Sequence, residues 1–101
     1  MNHLRSYKLS ITFYRAMQTK QLCVPFGDQL RRASSSVCLN LAEGTGKRTL
    51  VDQRRFFYIA LGSLREIRAI FDLNFEKFCS EDFDQLDHLS ASVYKLCNWR
   101  S

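Results

Sequence analysis

Two groups of polar side chains in this 101-residue chain have types and spacings that suit chemistry. The first is cationic. Eight of the fifteen Lys and Arg fall in Arg31-Arg32, Lys47-Arg48 and Arg54-Arg55, with Arg65 and Arg68 further on. Clustered cations neutralise phosphates and release counterions, so Arg31, Lys47, Arg48, Arg54 and Arg55 are candidate nucleic-acid contacts. Lys47 and Arg48 also precede an expected helix start, where backbone N–H groups and the helix dipole favour an anion. No base-reading motif accompanies them, so binding should follow backbone and shape instead of sequence. The competing reading is a solvated, internally paired surface, with Arg65 meeting Asp72 or another acid.

The second group is a polar ladder. Arg32, Ser36, Asn40 and Glu43, preceded by Gln29, recur three and four residues apart and so share a helix face. An architectural network, with Arg32 paired to Glu43 or Asn40, is expected in place of catalysis. His3 and His88 have no nucleophile or carboxylate at an interpretable spacing, and the serines 34–36 have no nucleophile-elbow pattern. Cys23, Cys38, Cys79 and Cys97 lack metal-ligand spacing. No catalytic residue, metal or cofactor is expected, and the chain reads as not an enzyme. Tyr7, Tyr14 and Tyr58 suit core or interface positions better than base stacking, whereas Trp99 lies beyond the last convincing turn and suits docking on a neighbour.

Four helices must position these groups. Leu4, Tyr7, Ile11, Tyr14 and Met17 follow a 3.6 period over residues 4–21. Pro25 breaks that pattern, and Asp28 is an expected N-cap for a helix over 28–43, with Leu30, Ala33, Val37 and Leu41 facing the core. Gly44 stands where a left-handed C-cap is expected, and Gly46 keeps the exit flexible. Thr49, with Asp52 three residues on, predicts the start of a helix over 50–75. Phe57, Ala60, Leu61, Leu64, Ile67 and Phe71 form its stripe, which Phe56, Ile59, Ile70 and Leu73 widen past half the circumference. So apolar a helix requires more than one neighbour. Gly62-Ser63 in its middle costs roughly 1 kcal/mol relative to Ala and predicts the close approach of another helix, at the small face of Ala33, Ser34 and Ser36. Ser80 is an expected N-cap for a last helix over 81–98, with Phe83, Leu86, Leu89 or Ser90, Val93, Leu96 and Cys97 inward.

Short connections make sequential helices antiparallel. The chain is expected to be all-α, an up-down-up-down four-helix bundle in one domain over 1–101. The apolar fraction of 46% and charged fraction of 25% are those of a globular protein. No apolar run reaches the roughly 20 residues of a membrane span, and the N-terminus lacks a signal-peptide core, so no membrane partner and a cytoplasmic location are expected. Cys38 and Cys97 within apolar patterns read as free buried thiols. Residues 1–68 hold twelve Lys and Arg against four Asp and Glu, whereas 69–101 hold three against six. That asymmetry suits either a polyanion partner or head-to-tail contact between copies.

The second and third helices resemble a four-helix bundle family that includes the 23S rRNA intervening-sequence proteins and the Avd-like accessory proteins of diversity-generating retroelements. The resemblance rests on Gln29-Leu30-Arg31-Arg32-Ala33, Ser36, Asn40-Leu41-Ala42-Glu43-Gly44 and Gly46, and then on Phe57-Tyr58-Ile59-Ala60-Leu61-Gly62-Ser63-Leu64-Arg65-Glu66. It covers about residues 4–98. The loop around Pro25 is shorter than the family's, Phe75-Glu76-Lys77-Phe78 replaces a frequent glycine, and Cys38 or Leu39 replaces a mid-signature proline, which suggests a straighter helix.

The resemblance implies a homopentamer arranged as a basic barrel. For Avd-like members it also implies binding to nucleic acid and to a reverse transcriptase. The leading expectation is a non-enzymatic oligomeric bundle that binds RNA or DNA, as an accessory to a reverse transcriptase in the Avd-like case. The alternative is a structural homo-oligomer or protein-interaction scaffold with no nucleic-acid role.

Overall fold

The computed structural model describes residues 3–98; Trp99, expected to dock on a neighbour, lies outside them. Four helices follow in order: α1 (His3–Met17), α2 (Phe26–Thr45), α3 (Leu50–Leu73) and α4 (Ser80–Asn98), with a short 3-10 turn at Phe75–Lys77. Each packs on its sequence neighbours and α1 closes on α4, so the four surround one core in a shape of 41 × 22 × 19 Å. No strand occurs among the described residues. No described helix is long and apolar enough to cross a membrane.

The inward stripes of α2 and α3 fall where periodicity places them. Leu30, Ala33, Val37 and Leu41 are buried, as are Phe57, Ala60, Leu61, Leu64, Ile67 and Phe71. In α4, Leu86, Leu89, Val93, Leu96 and Cys97 are buried, and Phe83 packs on the core edge-on to Phe71. Burial of such side chains contributes on the order of 1.5–3 kcal/mol each, which holds together a bundle of this size.

α1 differs in phase. Its buried residues are Ser6, Ser10, Phe13 and Met17, whereas Leu4 is exposed and Tyr7, Ile11 and Tyr14 are half-buried. Two serines on the inner face let neighbouring helices come close, and both hydroxyls are satisfied. Ser6 shares a hydrogen bond with Ser92 of α4, and Ser10 donates to the Tyr7 carbonyl. Hydrophobicity alone misplaces such a face, because a small hydroxyl residue bonded internally is buried at little cost.

Helix ends also shift. α1 stops at Met17, four residues short of expectation, and Thr19 and Lys20 donate backbone bonds into a tighter terminal turn. α2 starts two residues early, with the Pro25 carbonyl accepting its first bond from the Gln29 N–H. Asp28 is therefore within the first turn, paired with Arg31, and is not the cap. Thr49 caps α3 as expected, its hydroxyl accepting from the Asp52 N–H at 3.1 Å. α3 ends at Leu73; Asn74 folds back to bond the Ile70 carbonyl, and the following turn lets Phe78 stack on Phe71 at 3.8 Å between centroids. Ser80 is already helical. Cys79 occupies the capping position of α4, where Asp82 accepts from its N–H at 2.9 Å, the return limb of a capping box.

Asp82 is buried, and its second tie is to Lys20 at 2.7 Å. Burial pushes its carboxyl up, but the Lys20 ammonium and the Cys79 N–H outweigh that and hold it below the ordinary carboxylate value. This ion pair fastens the chain after α1 to the start of α4.

Candidate nucleic-acid interface

The end of the bundle where α2 turns into α3 is built around Gly44. No described residue, glycine included, has a positive φ, so Gly44 is not a left-handed cap. It lies inside α2, and a β-carbon there would stand 2.6 Å from Cε1 of Phe57 and 3.1 Å from the Gln53 carbonyl. Glycine is required because α3 passes too close for a side chain. The helix runs on to Thr45, whose hydroxyl bonds the Leu41 carbonyl, and Gly46 takes the C-cap position with ordinary right-handed geometry.

Beyond this stop the turn is pinned from both sides. The Gln53 amide donates to the Lys47 carbonyl at 3.0 Å, and Thr49 caps α3. Lys47 reaches back to Glu43 at 3.1 Å and lies 5.2 Å from the centre of the Phe56 ring, a partly neutralised and partly stacked cation. Arg48 is exposed and has no ion pair or hydrogen bond among the described residues. Arg55, in the second turn of α3, is exposed and meets Asp52 only at 3.9 Å.

The other two sequence candidates stand apart. Arg31 is paired with Asp28 near the start of α2, at the far end of that helix. Arg54 is half-buried, and its Nε is enclosed without a hydrogen-bond partner. It is close enough to Cys97 for its charge to act on that thiol. Burial pushes the Cys97 thiol up to about 11, against the smaller opposing effects of Arg65 and Arg54. The structure thus gathers Lys47, Arg48 and Arg55 at one end, with Arg54 half-buried.

Within the chain, the polar ladder contracts to its centre. Asn40 donates to the Ser36 carbonyl and hydroxyl, and the Ser63 hydroxyl of α3 bonds that of Ser36 at 2.9 Å. Arg32 and Glu43 are exposed, and Glu43 pairs with Lys47 and not with Arg32. Eleven residues of helix separate the two by about 16 Å, beyond the reach of their side chains. Ser63 therefore meets the small face of α2 as its position suggested, but Gly62 does not: nothing stands within 4 Å of a β-carbon there. Arg68, not Arg65, takes Asp72, and it also bonds Asp87 of α4 at 3.0 Å. The Lys20–Asp82 tie has no sequence signal, because its partners lie 62 residues apart and meet only through the bundle's topology.

No group of three or more metal-ligating side chains occurs among the described residues. All four cysteines are free, Cys38 and Cys97 buried, Cys23 and Cys79 exposed. His3 stacks edge-on against Phe57 at 5.2 Å and is held below its ordinary value mainly by burial. His88 is exposed on α4.

The family model of the 23S rRNA-intervening sequence protein matches residues 4–98, all four helices and both signature stretches. The chain belongs to that family. No curated protein matches the chain.

Proposed function

We propose that this family member is a non-enzymatic, cytoplasmic, self-associating bundle that binds nucleic acid at the α2–α3 end. One observation carries the reading. Arg48 stands exposed and unneutralised beside Lys47, on a turn held rigid by Gln53 and Thr49 and opening onto the N-terminus of α3. Rigid placement of cations at a helix start suits phosphate, and repetition around an oligomer would multiply the attraction. Lys47 and Arg48 are the main contacts, Arg55 flanks them, and Arg31 and Arg54 contribute at longer range. Ser36 and Asn40 serve the architecture, and Glu43 holds Lys47.

Changing Lys47 and Arg48 together to Glu is expected to abolish retention of structured RNA at moderate salt with helix content unchanged. Retention equal to the unaltered protein's would refute the assignment. The resemblance implies a ring of five copies, which light scattering tests directly. It also implies a reverse-transcriptase partner if the chain serves as an Avd-like accessory, and co-purification with such an enzyme tests that role.

A protein-scaffold reading is favoured by a different observation, the exposure of Val51, Tyr58, Ile59 and Leu73 along α3. Nucleic-acid absorbance that co-purifies with the protein separates the two, since a scaffold would carry none.

A further inference from the structure

A cleft of about 220 Å³ lies between the start of α1 and the end of α2. His3, Leu4 and Tyr7 line it from α1, Ala42 and Thr45 from α2. Leu4 is exposed, and Tyr7 packs on the core while also lining the cleft. His3 is set edge-on against Phe57, the ring for which Gly44 makes room. Burial holds its imidazole below the ordinary value, so at pH 7 it is neutral and offers one donor and one acceptor. The Thr45 hydroxyl gives its hydrogen to the Leu41 carbonyl, which leaves its oxygen to accept. All five lining side chains are thus uncharged at neutral pH.

The surroundings are cationic. Thr45 precedes Lys47 by two residues, at most about 7 Å of chain, so the cleft lies beside the turn that carries Lys47 and Arg48. On its other flank Leu4 is shared with a second groove, lined also by Arg5 and Lys8, both exposed. Cations therefore flank an uncharged, partly aromatic hollow on two sides. A duplex keeps its bases stacked inside, whereas an unpaired nucleotide presents a planar base a short step from its own phosphate.

We propose that this cleft receives an unpaired nucleobase of a strand whose phosphates lie on Lys47 and Arg48. The inference rests on the nucleic-acid reading above and narrows it to single-stranded segments, loops or ends. The volume is below the roughly 300–1,000 Å³ that enclose drug-sized ligands, and it suits one planar ring system. Tyr7 and His3 supply aromatic contact and Leu4 an apolar wall, while His3 and Thr45 offer polar atoms to the edge of the base. Every base has a π-face, so such a contact accepts any sequence, in keeping with the lack of a base-reading motif.

Two strands of roughly twelve nucleotides, oligothymidylate and a wholly abasic strand with the same phosphates, separate base from backbone. By fluorescence anisotropy, the whole protein is expected to bind the base-bearing strand about tenfold more tightly. The two charges are equal, so that ratio should hold while both affinities fall with added salt. Ala42 is exposed, so Ala42→Leu fills the cleft without entering the core and should bring oligothymidylate down to the abasic level. Tyr7→Leu keeps an apolar side chain on the core and should lower the ratio as well. Equal binding of both strands by the unaltered protein overturns the cleft and leaves the phosphate reading standing, as does retention of a duplex alone. A tenfold preference that survives both substitutions also overturns it, since the base is then held elsewhere. Retention of no nucleic acid at all overturns both readings.

Discussion

A β-carbon at Gly44 would press on Phe57 at 2.6 Å, within a helix crossing where both backbones are fixed. Gly44→Ala is therefore expected to destabilise the fold by about 1–3 kcal/mol, as overpacking does, read from urea denaturation. Gly46→Ala is the control: its nearest atom would be the Glu43 carbonyl at 3.6 Å and its φ is −80°, so little change is expected. The thiols give a second test at this scale. Cys23 and Cys79 are exposed, whereas Cys38 and Cys97 are buried, with the Cys97 thiol near 11. A thiol reagent at neutral pH should modify two cysteines quickly and the other two only on unfolding, because the thiolate is the reactive form.

At the scale of elements, α4 is anchored at its start by one carboxylate that does two tasks. Asp82 accepts from the Cys79 N–H and from Lys20, joining the cap of α4 to the chain after α1. Its carboxyl is held below the ordinary value of 3.8, so the folded state binds that proton less readily than the unfolded chain. The stabilisation is then fully present above the ordinary carboxylate range and is lost as pH falls through the lowered value. Asp82→Asn should lower stability at pH 7 by about 1–3 kcal/mol and flatten the acid limb of stability against pH. An acid limb identical to that of the unaltered protein would show that other carboxylates dominate it. Sequence periodicity recovered the core faces of α2, α3 and α4 because their apolar residues repeat without interruption. It misplaced α1, where Ser6 and Ser10 are the inward residues and are satisfied by hydrogen bonds that only a neighbour or a turn supplies.

At the scale of the molecule, charge is divided between a basic first two-thirds and an acidic remainder. The fold sorts the cations further. Arg31 and Arg68 are taken up by carboxylates and Arg54 is half-buried, whereas Arg48 remains open at the α2–α3 end. Nucleic-acid retention should accordingly weaken with added salt in the unaltered protein and vanish in the Lys47→Glu, Arg48→Glu variant. Along the outer side of α3, Val51, Tyr58, Ile59 and Leu73 stay exposed.

The helix order, the inward stripes of three helices, the Thr49 cap and the family were all determined by the sequence, because local spacing and short-range capping encode them. The helix ends beside Pro25 and Cys79 are set by local bonds, whereas the phase of α1 was decided by tertiary contacts. So were the role of Gly44 and the pairing of Lys20 with Asp82. Each depends on atoms brought together from distant parts of the chain, and no periodicity within one segment records what a second segment will press against it.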